Sequence, residues 1–202
     1  MKKTVLTLPA LLFILSGCFS TSTLLETENI CSLLDEKISW YQSLKKSEAI
    51  WNVDKSLQLA FIYQESRFVS DAKPPRERIL GVPLYRRSSA YGYAQVKSET
   101  WNWYKLKTEN NNAKRDNFAD VTDFIGWYVT QSKKLSNIAK NDIYNQYLAY
   151  HEGHGGFNRK TYLDKSWLMK VAKKVVNKAN FYKKQLASCS KRLDKNTAWT
   201  LF

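Results

Sequence analysis

The chain has 202 residues, which favours a single domain, and its hydrophobic fraction of 44% is enough for a sizeable core. A net charge of +14 and a sequence pI of about 9.6 favour an anionic partner, which can be nucleic acid, anionic lipid or an acidic polymer. Aromatic residues make up 14% of the chain. Because aromatic rings stack on bases and on sugars alike, composition does not choose between nucleic acid and carbohydrate.

The first residues have the pattern of an export signal. Lys2 and Lys3 form a basic segment, and residues 5–15 form an apolar segment that is too short to span a bilayer. The sequence LSGC at residues 15–18 resembles the bacterial lipobox, in which cleavage leaves a lipid-bearing cysteine as the new N-terminus. The alternative is an ordinary secretory signal with a chance cysteine. Either pattern predicts export, which argues against cytoplasmic nucleic-acid binding.

The lipobox sets the expected boundaries. We predict a signal peptide over residues 1–17, a lipidated Cys18 with a short tether over residues 18–29, and one folded domain over residues 30–202. Phe19, rather than an aspartate, follows the cysteine. In lipoproteins of Gram-negative bacteria this resembles outer-membrane sorting, so we expect an outer-membrane lipoprotein that faces the periplasm.

Two cysteines remain, Cys31 and Cys189, near the two ends of the mature chain. Export takes them to an oxidising compartment, where a disulfide is the natural pairing. In the chain-entropy model, closing so long a loop stabilises the fold by as much as ~4–5 kcal/mol. Two unpaired buried thiols are the alternative.

Hydrophobic spacing predicts an all-α fold. The expected helices span residues 30–52, 55–68, 120–135, 142–150 and a last segment from Asp164 or Ser166 to about residue 192. Asp54 is a plausible N-cap for the second helix, and glycines after residue 150 are expected to end the fourth. A proline-rich and arginine-rich loop is expected over residues 69–87. No run with period-two alternation is long enough to predict a strand.

The helix over residues 55–68 is apolar nearly all round, so it belongs in the middle of a core. Its spacing puts Leu57, Phe61, Glu65 and Phe68 on one face. A carboxylate on such a face is costly unless it is paired or protonated. Glu65 is therefore either a residue of a frayed helix end in water or a carboxylic acid in an apolar cleft. In the second case its pKa is raised and it is ready to protonate a leaving group.

Three short motifs carry a resemblance to a known family. They are ESRF at residues 65–68, GYAQV at residues 92–96 and AYHEG at residues 149–153. They resemble the motifs of lytic transglycosylases of the soluble, goose-lysozyme-like kind, which run approximately E-S-x-F, G-L-M-Q-I and A-Y-N-x-G. The order and rough spacing agree. The resemblance implies a lysozyme-like helical domain, with a central buried helix carrying the catalytic glutamate, that acts on peptidoglycan between N-acetylmuramic acid and N-acetylglucosamine.

The resemblance implies that Glu65 is the catalytic residue and that it acts in two steps. It first donates a proton to the glycosidic oxygen, and it then accepts the proton of the muramoyl C6 hydroxyl, which closes a 1,6-anhydro ring without water. Tyr150 is expected to hydrogen-bond to Glu65 and orient it. The expected contacts to the glycan come from Ser66, Gly92, Tyr93, Gln95 and Tyr150. The enzyme is expected to be a monomer that needs no cofactor, binds peptidoglycan strands and reaches the membrane through the lipid on Cys18.

Some positions depart from the family pattern. His151 stands where the family usually has Asn, Ala94 stands where it usually has Met, and the interval from Glu65 to Gln95 is longer than most members show. These departures leave subsite geometry and substrate preference open. His151, with the nearby Glu152 and His154, also resembles a metal motif. A zincin helix needs histidines four residues apart, whereas here they are three apart and glycines intervene, so no metal is predicted.

Two other functions stay open at this point. A goose-type lysozyme-like hydrolase would need a second carboxylate to position water, and the candidates are Asp71, Glu77, Asp120 and Asp123. A non-catalytic peptidoglycan-binding lipoprotein would have no need for an acid in an apolar site. The lysines of the last helix are expected on a solvated face that could also help to dock the protein on anionic wall or lipid.

Overall fold

The computed structural model describes residues 27–79 and 82–199, and for residues 198 and 199 it describes the backbone alone. The predicted signal peptide, Cys18 and most of the tether lie outside the described residues. The described part is built from seven α-helices with very little sheet, which confirms the all-α class. None of the helices in this part is both long enough and apolar enough to cross a membrane.

The helices follow one another with short connections, except for one long loop between the third and the fourth. Their bounds are α1 Ile30–Glu36, α2 Ile38–Trp51, α3 Lys55–Ser66, α4 Ser98–Thr108, α5 Phe118–Ser136, α6 Ile143–Asn158 and α7 Ser166–Trp199. The long loop contains two short antiparallel strands, β1 Arg78–Ile79 and β2 Val82–Pro83. A 3-10 turn at Thr161–Asp164 leads into α7.

The helix α3 lies in the centre of the core, as its sequence predicts. Asp54 caps it, and its carboxylate accepts a hydrogen bond from the backbone N–H of Ser56 at 2.8 Å. Every residue from Ser56 to Ile62 is buried. The helix packs mainly against α7, while α2 packs against α5 and α6 lies between α5 and α7. The C-terminal end of α3 brings Glu65 to a cleft that α5 and α6 also line.

The helices differ from the expected ones in several places. The helix α4 was not among the predicted helices, and α7 continues to Trp199 instead of ending at about residue 192. Three further differences concern other helices. Lys37 leaves the helical region at φ −112° and ψ 61°, which divides the predicted first helix into α1 and α2. The helix α3 ends at Ser66, because Arg67 and Phe68 both have positive φ, of 54° and 64°. Phe68 is therefore not on the helix face with Glu65 but stacks on Trp40, with ring centroids 5.9 Å apart.

The third difference is in α6, which does not end at residue 150. Gly153 leaves the helical region at φ 72° and ψ 158°, and the helix resumes and continues to Asn158. A glycine adopts this conformation at little cost, so it kinks the helix where a larger residue would be strained. The residues at the kink, from Tyr150 to Gly153, line the cleft that holds Glu65.

The chain is closed on itself by the predicted disulfide between Cys31 and Cys189, which is confirmed, with the two Cα atoms 6.0 Å apart. Three hydrogen bonds next to it hold residues 27–30 against α7. Tyr182 donates to the Thr27 carbonyl at 2.7 Å, and the Gln185 side chain donates to the Glu28 carbonyl at 2.8 Å and accepts from the backbone N–H of residue 30 at 2.8 Å. The start of the described chain is thus fixed along the last helix.

Candidate active site

Glu65 lines a cleft with a volume of about 540 Å³, which we call the Glu65 cleft. It is formed by the end of α3, by the loop and turn before α4 with the start of that helix, and by facing parts of α5 and α6. The lining residues are Glu65, Pro74, Pro75, Ala90, Gln95, Val96, Lys97, Thr100, Phe124, Tyr128, Tyr150, His151, Glu152 and Gly153. The proline-rich loop, whose role the sequence leaves open, thus contributes Pro74 and Pro75 to the wall.

Glu65 as a residue is partly exposed to the cleft, which Phe124, Tyr128 and Tyr150 also line. Tyr147 donates a hydrogen bond to its Oε1 at 2.8 Å, and no other side chain in the described part pairs with it. Burial raises the pKa of Glu65 to about 7, and the hydrogen bond from Tyr147 opposes this increase in part. A carboxyl group with this pKa can both donate and accept a proton near neutral pH.

The hydrogen bond that the sequence assigned to Tyr150 comes instead from Tyr147, one turn earlier on α6. The Tyr150 hydroxyl donates to the Ala94 carbonyl at 2.7 Å. Both rings meet Phe61 edge to face, at centroid distances of 5.3 Å for Tyr147 and 5.2 Å for Tyr150. The two tyrosines are three residues apart, so they share one face of the helix. That spacing is the signal by which Tyr147 could have been found.

The GYAQV motif forms a tight turn that is closed by a bridge between Tyr91 and Val96. Gly92 is required here because it has φ +79°, and a Cβ at this position would lie 2.0 Å from the carbonyl oxygen of Arg115. Gln95 also has a positive φ, of 47°. Its Nε2 donates to the carbonyls of Ala72 at 2.8 Å and Gly92 at 2.9 Å. Both amide hydrogens are therefore engaged, which leaves the amide oxygen of Gln95 for a ligand.

Three of the predicted glycan-binding residues are not among those that line the Glu65 cleft. The buried Ser66 donates to the carbonyl of Ile62 at 3.3 Å, inside its own helix. The ring of Tyr93 is packed edge to face against Trp40 and Phe118. Gly92 uses its backbone N–H for the carbonyl of Ala72, at 2.9 Å. Glu65, Gln95 and Tyr150 are brought together in the cleft, and glycan contact by any of the predicted residues stays a prediction.

The family model described as "Transglycosylase SLT domain" matches residues 6–189 of the chain. The chain belongs to this family. Neither the curated proteins nor the solved structures include a significant match to it. Family membership supports a lytic-transglycosylase-type action on peptidoglycan, in agreement with the resemblance carried by the three motifs.

A second carboxylate of this SLT domain, Glu152, lines the same cleft, and the sequence did not single it out for acid–base chemistry. Its side chain is only 4% exposed. Its oxygens accept from Lys165 at 2.8 and 3.0 Å, from His151 at 3.0 Å and from Thr161. Burial alone would raise the pKa of Glu152, but these hydrogen bonds outweigh it and lower the pKa to about 2. Glu152 is therefore ionised at every pH at which the domain is expected to work.

The four carboxylates that the sequence offered for a hydrolytic mechanism do not line the Glu65 cleft. Glu77 forms an ion pair with Arg87 at 2.9 Å. Asp123 accepts hydrogen bonds from two aromatic side chains of the core, and Asp120 accepts one from the backbone N–H of Lys114. Asp71 is exposed. Glu152 is thus the carboxylate that accompanies Glu65 in this cleft.

The two histidines of the AYHEGH segment belong to different clusters. His151 is bonded to Glu152, whereas the ring of His154 stacks on Tyr128 at a centroid distance of 4.5 Å, with Nε2 3.0 Å from the Ser132 hydroxyl. Burial lowers the pKa of His154 to about 4, so this ring is neutral. Within residues 27–79 and 82–199, no group of three or more His, Cys, Asp or Glu side chains is arranged to hold a metal ion.

Proposed function

We propose that this SLT domain cleaves the β-1,4 bond between N-acetylmuramic acid and N-acetylglucosamine without water and leaves 1,6-anhydromuramoyl ends. Glu65 in its acid form gives its proton to the glycosidic oxygen as the bond from C1 breaks, so the N-acetylglucosamine side leaves with a hydroxyl group. The Glu65 carboxylate then takes the proton of the C6 hydroxyl while that oxygen bonds to C1. Glu65 ends protonated again, so the cycle consumes neither water nor a net proton.

The observation that carries this proposal is the pKa of about 7 for Glu65 in an aromatic cleft. A single group that works first as acid and then as base is most effective when its pKa lies near the working pH. Only the neutral hydroxyl of Tyr147 bonds to the carboxyl group within the described part, so its protonated form is not penalised by a nearby cation. Family membership supports the substrate class.

Polar groups around Glu65 offer the contacts that a glycan strand would need. The amide oxygen of Gln95 can accept a hydrogen bond from an acetamido N–H or a sugar hydroxyl. Lys97, Thr100 and His151 add donors along the lining. Tyr128 and Tyr150 donate their hydroxyl protons to the backbone, to the carbonyls of Ala149 and Ala94, so they offer mainly the faces and edges of their rings to the ligand.

Hydrolysis is the second candidate reaction, because the cleft does contain a second carboxylate. In glycosidases the second carboxylate activates water or attacks C1 directly. Both oxygens of Glu152 already accept two hydrogen bonds each, from Lys165 and from either His151 or Thr161. An ion-paired carboxylate with this low a pKa is a poor base and a poor nucleophile, so the non-hydrolytic reaction is better supported.

The products of digested peptidoglycan test this proposal. Purified sacculi incubated with the wild-type protein are expected to release muropeptides with 1,6-anhydro ends, identified by mass spectrometry. Reducing-end muropeptides would establish hydrolysis instead, and no release would favour a non-catalytic binding protein. Glu65→Gln is expected to release nothing. Glu99→Gln is a matched control, because Glu99 is exposed on α4 and forms no ion pair in the described part, and it should retain wild-type activity.

We further propose that the protein is an outer-membrane lipoprotein that faces the periplasm and is anchored through Cys18. This rests on the lipobox sequence, since Cys18 lies outside the described residues. The disulfide between Cys31 and Cys189 supports an oxidising compartment. Cys18→Ala should move the protein out of the membrane fraction and abolish labelling by a radioactive fatty acid. Wild-type protein that is soluble and carries no label would contradict the anchor.

A further inference from the structure

The outer face of α7 carries a row of lysines with one gap. We define the lysine face as Lys170, Lys173, Lys174, Lys184, Lys191 and Lys195, all of which are exposed. Their steps of one, three, four and seven residues, with one longer interval, keep them on the side of the helix opposite the buried residues Leu168, Ala172, Val175, Ala179, Tyr182, Leu186 and Leu193. At a rise of 1.5 Å per residue, the row is about 38 Å long.

The charges of this face are not neutralised by the domain itself. The sequence of α7 contains no acidic residue before Asp194, and that carboxylate pairs with Lys45 of α2 at 2.6 Å. The other cations of α7 are paired with carboxylates of other segments: Lys178 with Glu28, Lys183 with Asp54 and Arg192 with Asp35. Within the described residues, none of the six lysines of the lysine face forms an ion pair. The fold therefore pairs the other cations of α7 and leaves the lysine face cationic.

Two large aromatic side chains accompany the lysines. Phe181 is 42% exposed and lies in the interval between Lys174 and Lys184, and Trp167 is 53% exposed at the start of the helix. A basic helix face with exposed aromatic rings is the composition that binds at the interface of anionic membranes, where the rings enter the headgroup layer and the ammonium groups meet phosphates. Because the apolar face of α7 is buried in the core, such binding would lay the helix on the surface without inserting it.

The position of residues 27 and 28 beside α7 also favours a membrane surface as the partner of the lysine face. Thr27 and Glu28 are held on one flank of α7 by Tyr182 and Gln185, next to the lysine face. If Cys18 carries the lipid, the nine residues 18–26 span at most about 30 Å, so the membrane must lie within that distance of α7. We propose that the lysine face of α7 docks this domain on an anionic phospholipid surface. Docking sets how the Glu65 cleft is presented to the wall and is independent of the chemistry at Glu65.

Vesicle binding tests the proposal without the lipid anchor. The chain from residue 18 onward with Cys18→Ala keeps every described helix and the disulfide, and it has no acyl acceptor. It should bind vesicles of phosphatidylethanolamine with phosphatidylglycerol and should not bind vesicles of phosphatidylcholine alone. The binding should be lost as salt rises from about 0.05 M to about 0.5 M, because exposed charges are screened. Equal binding to both kinds of vesicle would overturn the proposal.

A matched pair of variants separates the lysine face from net charge. One variant carries Lys173→Gln, Lys184→Gln and Lys191→Gln. The other carries Lys46→Gln, Lys107→Gln and Lys134→Gln, at exposed positions of α2, α4 and α5 that are likewise outside any ion pair of the described part. A lysine near an anionic surface contributes a factor of about five to affinity, so the first variant should bind about a hundredfold more weakly. The second should stay within a few-fold of the parent.

The remaining outcomes also decide the question. An equal loss in both triple variants would mean that net charge alone acts, and no loss in the first would remove the lysine face from binding; each overturns the proposal. Purified sacculi are the third probe. If the chain binds sacculi and not vesicles, and the first triple variant abolishes that binding, the face belongs to a wall polymer and the lipid proposal is overturned. Thermal melts of both variants check that the fold is intact.

Discussion

Glu65 and Glu152 line the same cleft, yet their surroundings move their pKa values in opposite directions. Burial raises the pKa of Glu65 to about 7, whereas Glu152 is brought down to about 2. Burial acts in the same direction on both groups, since it disfavours the ionised form and by itself would raise both pKa values. The difference lies in their partners: Glu65 has the neutral Tyr147, and Glu152 has the cationic Lys165 with two further donors.

This contrast fits two different roles for the same type of side chain in one cleft, the proposed proton transfer by Glu65 and a structural role for Glu152. A carboxyl group that exchanges protons needs an environment in which neither form is strongly favoured. A carboxylate that holds structure together needs the ionised form to be favoured throughout. Glu152 connects the kinked part of α6 to the 3-10 turn and the start of α7 through Thr161 and Lys165. These contacts hold the wall of the cleft that Glu65 lines.

The largest expected difference is in activity. Glu65→Gln keeps the size of the side chain but cannot transfer a proton, so the rate of muropeptide release should fall by about a thousandfold or more. Glu152→Gln should retain activity within about tenfold, because this carboxylate shapes the wall and exchanges no proton. Initial rates on purified sacculi measure both. A Glu65→Gln variant with near wild-type rates would remove Glu65 from the mechanism, and an inactive but folded Glu152→Gln variant would assign chemistry to Glu152.

The next largest difference is in stability, where Glu152→Gln should be costly. The substitution leaves Lys165 facing a neutral amide. Because the Lys165 side chain is 40% exposed, solvent screens the pair, and losing it costs about 2 kcal/mol at neutral pH. Because the folded pKa of Glu152 is lowered, its contribution is present above the unfolded pKa of about 4.3 and is lost as the pH falls towards 2. Urea unfolding of wild type and variant at several pH values should therefore show the gap closing in this window. A gap that is unchanged down to pH 2 would mean that lost packing, and not charge, is responsible.

Much of the fold follows from local sequence signals. The continuous apolar run from Leu57 to Ile62 predicts a buried helix, and Asp54 predicts its cap. Cys31 and Cys189 pair as their export context predicts. The position of Glu65 at the end of that helix was also predictable, because three ordered motifs locate it. The helix, its cap and the position of Glu65 depend on neighbouring residues in the sequence. The disulfide was predictable because, once Cys18 is assigned to the lipid, only two cysteines remain to pair.

The partners of the two carboxylates were not predictable in the same way. Tyr147 lies 82 residues from Glu65, and a motif that names Tyr150 cannot decide which tyrosine of one helix face reaches it. Between Glu152 and Lys165 lie the kink at Gly153 and the 3-10 turn, and the chain turns back there so that the two side chains meet. The sequence predicted that the glycines after residue 150 end α6. A helix that is kinked at a glycine and then continues has the same sequence pattern, so the pattern could not distinguish the two. Side-chain partners across such a bend depend on tertiary packing.

Glu65→Gln should have the opposite effect on stability to Glu152→Gln, because it should make the protein more stable. Since the folded pKa of Glu65 is raised to about 7, the ionised form destabilises the fold, and this penalty grows as the pH rises from about 4.3 to 7. Such a shift corresponds to roughly 3 kcal/mol, and the weaker hydrogen bond from Tyr147 to a neutral amide offsets part of it. At pH 8 the variant should be more stable by about 2 kcal/mol, and at pH 4 the difference should vanish. A variant that is less stable than wild type at pH 8 would indicate that Glu65 is ion-paired.

The smallest expected effect distinguishes the two tyrosines of α6. Tyr147 stabilises the ionised form of Glu65, so Tyr147→Phe should raise the pKa of Glu65 further. The first step needs the protonated acid, and the alkaline limb of the pH–rate profile should therefore move up by roughly one pH unit. Tyr150→Phe is the matched control: it removes a hydroxyl that donates to the Ala94 carbonyl, so it should lower the rate without moving that limb. The reverse pattern, with the limb moved by Tyr150→Phe alone, would restore Tyr150 as the residue that orients Glu65 when substrate is bound.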